Sequence, residues 1–329
     1  MKTKIDTTSV ERIIPYLTEQ CQYSLSATCQ DFFNLNNKIW LTRHVLKQIL
    51  QVAQGEQSKV QAILRLRSDY LLHSGNVTDP SGRCFSNITS FMYAIWALDV
   101  RYMGKMIINC LPRNEKGEEI KAKLLEQYEE VEKNGLSYTL KGKIYIEKHY
   151  DFSIIPSLER YVKSGGDNDK LWYEVGKDQY NVPAHVAQHY CESNTSFKYS
   201  DFKEEVFTRK LGGIGTIGVN TDCDTLDWYD KRLGVEYAIT RGLSNKGPGA
   251  YEDGPSISGI YGRSGNGKAS LWTGSSYDTG PAIDLDAMIR LQKARIADLA
   301  ELKLVLQSPL PPLGVDYPRA KESSSCITM

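Results

Sequence analysis

The sequence lacks an excess of charge of either sign, because its 40 basic residues are balanced by 40 acidic residues. A strongly basic surface is typical of proteins that bind nucleic acid, so no nucleic-acid partner is predicted. The sequence also lacks a run of about eighteen apolar residues, which a membrane-spanning helix needs. Residues 1–30 have neither the basic start nor the apolar centre of a secretory signal peptide. We therefore expect a soluble body that does not follow the general secretory route.

Closely spaced cysteine pairs are also missing, although the chain contains 7 cysteines. An odd number of scattered cysteines predicts neither a disulfide framework nor a zinc site of the CxxC type. We expect reduced thiols in a cytosolic compartment, most of them buried as small side chains.

Two glycine-rich motifs lack the context that nucleotide binding requires. Residues 262–268 match the GxxxxGK phosphate-binding pattern, but Ala269 occupies the position where a hydroxyl must bind magnesium. Residues 213–218 match GxGxxG, but a charged segment precedes them and a polar segment follows, where a strand and a helix are needed. We therefore predict no cofactor and assign no catalytic residue.

A pair of histidines, His185 and His189, is spaced by one helical turn and could in principle contribute two zinc ligands. The sequence has no glutamate at the second position of an HExxH motif and no cysteine pair to complete a structural site. We favour a helix that carries two histidines close to Val182 and Val186, and we predict no metal site.

The apolar spacing predicts a mainly α fold with a small β component, of class α+β. A helix is expected over residues 58–72, a helical hairpin over 91–111, a charged helix ending at Gly135, and a β-hairpin around Lys141-Gly142. A long helix is expected from Asp284, as its cap, to Gln307, with apolar positions at 285, 289, 296, 299, 302 and 306. Residues 89–99 loosely resemble the opening of an ankyrin unit, in one copy.

Four regions follow from this division of the chain. They are a helical module at 1–54, a region with the helical hairpin and the β-hairpin at 55–165, a loop-rich α+β region closed by the long helix at 166–308, and a flexible tail at 309–329.

The N-terminal helical module has the apolar spacing of three short helices. Its apolar residues include Ile13, Ile14, Leu17, Leu25, Cys29, Phe32, Phe33 and Trp40. This pattern resembles an F-box, the motif that docks on the Skp-type adaptor of cullin ubiquitin ligases. The resemblance implies adaptor contacts by Ile13, Ile14, Leu17, Leu25, Cys29, Phe32 and Trp40. The usual Leu-Pro opening is replaced by Thr7-Thr8-Ser9, and the alternative is an ordinary three-helix start of a larger α-domain.

The last four residues, Cys326-Ile327-Thr328-Met329, resemble a CaaX prenylation box. In such a box the cysteine thiolate is the nucleophile, and the three following residues fill the specificity pocket of the prenyltransferase. A final methionine is associated with a farnesyl group. The resemblance implies lipidation of Cys326 by a host farnesyltransferase and attachment to a membrane; the alternative is an accidental terminal cysteine.

An F-box, a helical middle and a prenylation box together resemble translocated effectors of intracellular bacterial pathogens. The resemblance implies an adaptor at the cytosolic face of a host membrane, delivered by a route other than general secretion. It would recruit an SCF-type ubiquitin ligase and present an unknown target protein through the middle region. The alternative is an enzyme of unknown chemistry with its site within residues 165–280.

Overall fold

The computed structural model describes residues 30–165, 168, 170–171, 174–175, 178, 181–191, 198–206 and 281–310. Within these ranges the chain is mainly helical and carries one antiparallel sheet, which confirms the predicted α+β class. The glycine-rich motifs, the tail residues from 311 onward, and the first five predicted adaptor contacts, from Ile13 to Cys29, lie outside the described residues.

The helices in the described ranges are α1 Gln30–Ala53, α2 Gln57–Leu66, α3 Ser90–Trp96, α4 Lys105–Asn109, α5 Glu115–Asn134, α6 Ile154–Lys163, α7 Ala184–Cys191 and α8 Pro281–Gln307. A 3₁₀ turn, Ser68–Leu72, follows α2, and a π-helical turn, Val100–Gly104, leads into α4. The strands are β1 Gly75–Thr78, β2 Cys84–Ile88, β3 Leu136–Leu140 and β4 Lys143–Glu147. No helix in these ranges is both long and apolar enough to cross a membrane.

Helix α1 joins two segments that the apolar spacing assigns to separate helices. Residues 32–33 were expected to end a second helix and Trp40 to open a third, but both lie on one continuous helix. The 24 residues of α1 include neither proline nor glycine, so nothing in the backbone interrupts the hydrogen-bond ladder. The helix is anchored by its C-terminal half, where Val45, Ile49 and Val52 are buried.

Two further boundaries differ from the prediction. The helix expected over residues 58–72 is divided at Arg67, whose backbone leaves the helical region with φ −140° and ψ 64°. The long C-terminal helix begins at Pro281, so Asp284 lies inside its first turn and is fully buried; it does not cap the helix from outside. Proline fits the first helical position because it has no N–H to leave unpaired.

The predicted β-hairpin is confirmed as β3 and β4. Lys141 and Gly142 have φ values of 50° and 76°, the positive values that a tight two-residue turn between twisted strands needs. Strands β1 and β2, by contrast, were not predicted. They have 4 and 5 residues and expose polar side chains on one face, so their alternation is too short and too polar to be recognised.

The described elements share one apolar core. It extends from Val45 on α1 to Leu306 on α8, with Trp96 fully buried between the sheet and the helices. Both helical segments of the predicted hairpin are present: α3 is capped by Thr89, whose hydroxyl accepts from the N–H of Met92, and α4 follows through the π-helical turn. Helix α8 packs on α5, α6 and the π-helical turn. The division into four regions stays a prediction.

Candidate functional site

Two of the residues predicted to contact a Skp-type adaptor, Phe32 and Trp40, lie in the described part of the chain, both on α1. Trp40 is half-buried, and its ring stacks on that of His44 with the centroids 4.2 Å apart. The Nδ1–H of His44 donates to the Trp40 carbonyl at 2.8 Å, which holds the stack in place. Cys326 lies outside the described residues, so the adaptor contacts and the lipidation site both stay predictions.

A fully buried arginine, Arg295, forms the centre of a polar cluster between α7 and α8. Its Nη1 donates to the Asp298 carboxylate at 2.6 Å and to the Phe202 carbonyl at 3.1 Å. Its Nη2 lies 2.8 Å from Nε2 of His189, and its guanidinium carbon lies 5.6 Å from the ring centroid of Tyr102. A buried charge is tolerated when it is paired and hydrogen-bonded, and these contacts provide both.

The contact with Arg295 fixes the tautomer of His189. A guanidinium can only donate, so Nε2 of His189 accepts and the ring proton is on Nδ1. The hydroxyl of Tyr102 lies 2.9 Å from the same nitrogen, so Tyr102 and Arg295 share the one lone pair of Nε2. Burial, together with the positive charge of Arg295, holds the pKa of His189 well below its usual range. His189 is therefore neutral at pH 7.

One helical turn earlier, His185 is fully buried and its Nε2–H donates to the Ala97 carbonyl at 2.7 Å. Burial lowers the pKa of His185 to about 3, and the positive charge of Arg295 acts in the same direction. The predicted helix with two histidines close to Val182 and Val186 is thereby confirmed, since both valines and both histidines are buried.

A buried carboxyl, Asp99, lies in the field of the same arginine. It is 3% exposed and accepts a hydrogen bond from the N–H of Met103 at 3.2 Å. Burial raises the pKa of Asp99 to about 7, although the Met103 hydrogen bond and the charge of Arg295 oppose the shift. The pKa values of the two histidines are thus lowered, whereas the pKa of Asp99 is raised.

The Asp298 carboxylate bridges two arginines from different parts of the chain. Arg295 donates to one of its oxygens at 2.6 Å and Arg101 to the other at 3.1 Å. Arg101 also donates to the carbonyl of Lys203, at 3.2 and 3.3 Å. These bonds tie α8, the π-helical turn and residues 198–206 to one another.

The geometry of the cluster works against a metal ion at the histidine pair. Nε2 of His189 faces a guanidinium at 2.8 Å, and Nε2 of His185 is occupied by the Ala97 carbonyl. Elsewhere in the described ranges, no group of three or more His, Cys, Asp or Glu residues lies close enough to hold a metal. The contacts are those of a polar core that stabilises the packing of α7 against α8.

Sequence reasoning missed Arg295 because it followed only the apolar residues of α8. This was correct for Leu302 and Leu306, which are buried, but not for Ile296. Ile296 was expected in the stripe but is 43% exposed, whereas Arg295 is fully buried. The sequence did contain a signal: Arg295 follows the buried Met288 and Leu291 at helical spacing, so a charged residue occupies the apolar face.

A second buried arginine, Arg83, lies in a box of aromatic rings beneath the sheet. It is 3% exposed and lies 3.5 Å from the Asp79 carboxylate. Its guanidinium carbon is 5.1, 5.4 and 5.7 Å from the ring centroids of Trp96, Tyr138 and Tyr150. Electron-rich ring faces stabilise a cation at such distances. The space between the three rings is therefore occupied by the guanidinium of Arg83.

The comparisons with known proteins point to one family. Residues 153–306 match the family described as the CBUA0006 C-terminal domain. A relative, the uncharacterized protein CBUA0006 of Coxiella burnetii (strain RSA 493 / Nine Mile phase I), is 30% identical over 298 residues. The aligned region covers 82% of this chain and 77% of that protein. No solved structure matches. Both histidines and Arg295 lie within the matched domain, whereas Asp99 and Tyr102 precede it.

Proposed function

The chain belongs to the CBUA0006 family, and from this membership and the N-terminal pattern we propose that it is a host-directed adaptor protein. In this proposal it recruits an SCF-type ubiquitin ligase, is held at a host membrane by a prenyl group on Cys326, and presents an unknown target. The relative comes from a bacterial pathogen, which supports a role inside a eukaryotic host.

The continuity of α1 is the observation that carries the adaptor proposal. The helix that bears Phe32 and Trp40 is the same helix that inserts Val45, Ile49 and Val52 into the core. A partner bound to its N-terminal half would therefore be held in a fixed orientation relative to the body. An adaptor that presents a target to a ligase needs such a rigid connection between its two contacts.

The two histidines of the described residues 181–191 are inaccessible to a substrate. The enzyme alternative placed its site within residues 165–280, where burial holds the pKa values of His185 and His189 well below their usual range. Perturbed pKa values often mark active sites. Here, however, the side chains are 0% and 6% exposed and paired with a backbone carbonyl and an arginine, so a substrate would not reach them.

The lipid and the adaptor contact would support each other at the membrane. A single prenyl chain binds a bilayer only marginally, and stable attachment usually takes a second contact. Arg319 and Lys321 add little positive charge next to Cys326. We infer that binding to the ligase or to the target supplies the second contact.

Substitution within the F-box-like pattern is expected to weaken binding to a Skp-type adaptor. Purified adaptor should be retained by the immobilised full chain, and Leu25→Ala, Phe32→Ala or Trp40→Ala should each reduce retention about tenfold, since each removes a contact of about 1.4 kcal/mol or more. Leu50→Ala is the matched control, because Leu50 lies on the same helix and is 37% exposed. Failure of the wild-type chain to retain the adaptor, or equal retention by all variants, would contradict the proposal.

Loss of Cys326 is expected to release the protein from membranes. Tagged wild type expressed in eukaryotic cells should sediment with the membrane fraction, whereas Cys326→Ser should remain in the soluble fraction, because the serine hydroxyl is not prenylated. Cys84→Ser is the control, since Cys84 is an exposed free cysteine far from the C-terminus in sequence. If wild type and Cys326→Ser fractionate alike, the lipid anchor is excluded.

A further inference from the structure

Strand β4 is an edge of the sheet with exposed apolar side chains. The strand order is β1-β2-β3-β4, and no strand of the described ranges pairs with the outer side of β4. Ile144 and Ile146 are 74% and 69% exposed, and Tyr145 is 38% exposed. An exposed apolar edge strand offers unpaired N–H and C=O groups and tends to pair with another strand.

The tight turn determines which backbone groups of β4 point outward. In a hairpin with a two-residue loop, the pair that flanks the loop exchanges both of its hydrogen bonds, and this pair is Leu140 and Lys143. The pattern alternates along an antiparallel ladder, so Tyr145 also bonds towards β3. The N–H and C=O groups of Ile144 and Ile146 therefore point away from β3 and form the free edge.

The sequence of β4 is complementary to itself when two copies run antiparallel. With the two-fold axis at Tyr145, Ile144 of one copy lies opposite Ile146 of the other, and Lys143 lies opposite Glu147. The two Ile144–Ile146 pairs use the outward backbone groups, which gives four hydrogen bonds. The Lys143–Glu147 pairs fall at positions without mutual hydrogen bonds. Glu147 is half-buried and one of its carboxylate oxygens lies inside the protein, so the isoleucine pairs and the backbone hydrogen bonds carry the match.

Other registers lose this match. A shift of two residues keeps the outward groups paired but places Lys143 or Glu147 opposite Tyr145. It also leaves one isoleucine of each copy opposite Gly142 or Lys148. The isoleucines of both copies and all outward hydrogen-bonding groups are therefore paired in the register centred on Tyr145.

We propose that β4 is a homodimerisation edge, through which two copies of this chain join their four-stranded sheets into one continuous antiparallel sheet. The arrangement is isologous, because the same strand contributes to both sides of the two-fold axis. Two five-residue edges bury less surface than a standard stable interface, so the dissociation constant is expected in the micromolar range.

Sedimentation equilibrium of the purified full chain, from about 1 to 200 µM, tests the proposal, since a micromolar equilibrium passes from monomer to dimer over this range. The wild type should associate as a monomer–dimer system. Ile146→Pro should weaken association at least about tenfold, because proline removes an outward N–H while the ladder to β3 uses other residues. Leu66→Lys is the surface control, since Leu66 is 84% exposed on α2, and it should dimerise as wild type does.

A charge reversal tests the register. Lys143→Glu should weaken the dimer, since it places an acidic side chain opposite Glu147 of the second copy, whereas Lys143→Arg should leave it unchanged. Thermal unfolding of each variant shows that the monomer fold is retained. A chain that stays monomeric at the highest concentration overturns the proposal. So does a dimer that survives Ile146→Pro, or a folded Lys143→Glu variant that associates as tightly as wild type.

Discussion

Replacement of Arg295 with alanine is expected to lower the free energy of unfolding by about 4 kcal/mol, the largest effect of any single substitution proposed for this chain. The change leaves the Asp298 carboxylate with Arg101 as its remaining ion-pair partner and removes the donors to His189 and to the Phe202 carbonyl. It also leaves a cavity where a large, fully buried side chain had been. Urea denaturation followed by circular dichroism measures the loss.

Two further variants make the Arg295 result specific. Lys293→Ala on the same helix should change the free energy of unfolding by less than about 0.5 kcal/mol, because Lys293 is exposed. Arg295→Lys keeps the charge but cannot reach three acceptors at once. Its decrease in the free energy of unfolding should therefore lie between those of Arg295→Ala and Lys293→Ala. If Arg295→Ala unfolds at the same urea concentration as Lys293→Ala, the cluster does not stabilise the fold.

The stability of the fold is expected to depend on pH through opposing contributions of His185 and Asp99. The pKa of His185 is about 3 in the folded chain, whereas an unfolded chain has about 6.5. The unfolded state therefore binds more protons below pH 6.5, so this contribution is intact above pH 6.5 and is lost as the pH falls. Between pH 7 and pH 5 the loss is about 2 kcal/mol. His189 acts in the same direction.

The contribution of Asp99 to the pH dependence of stability has the opposite sign. Its pKa is about 7 in the folded chain and about 3.9 when unfolded, so the folded state holds a proton that the unfolded state releases. This contribution is fully present below pH 3.9 and is lost as the pH rises towards 7. A decrease from pH 7 to pH 5 therefore restores about 2 kcal/mol, which offsets the loss from His185.

Substituting Asp99 and His185 one at a time separates their contributions to the pH dependence of the free energy of unfolding. In Asp99→Asn, the free energy of unfolding should fall from pH 7 to pH 5 by about 2 kcal/mol more than in wild type. His185→Gln keeps a donor for the Ala97 carbonyl and should shift the pH dependence in the opposite sense by a similar amount. His73→Gln, at an exposed histidine, is the control. Parallel urea curves for all four proteins at both pH values would contradict the assignment.

Local patterns predicted the elements whose neighbours lie close in sequence. The hairpin of β3 and β4 follows from Lys141-Gly142, and α5 ends where Gly135 adopts a φ of 72°. Strands β1 and β2 could not be predicted in this way, because β2 pairs with β3, 53 residues later between Phe85 and Tyr138, and β1 joins the sheet only through β2.

In the candidate site, too, local features were predicted and contacts between distant residues were not. The histidine pair and its helix were predicted from spacing, but the roles of the two rings come from Ala97 and Arg295, which are 88 and 106 residues away in sequence. Periodicity describes one helix at a time, so it cannot assign a partner on another helix. It placed Ile296 in the core and left Arg295 out, because a charged residue is counted as surface unless its partners are known.

The sequence by itself determined the fold class, the long helix α8 and the hairpin turn, whereas the adaptor and the lipid anchor stay predictions. Tertiary structure decided which charges are buried, which tautomers the histidines adopt and which edge of the sheet remains open. The physical reason is that apolar spacing and turn residues act over a few neighbours. The free energy of a buried charge or an unpaired strand edge, by contrast, depends on groups that only the folded chain brings within about 3 Å.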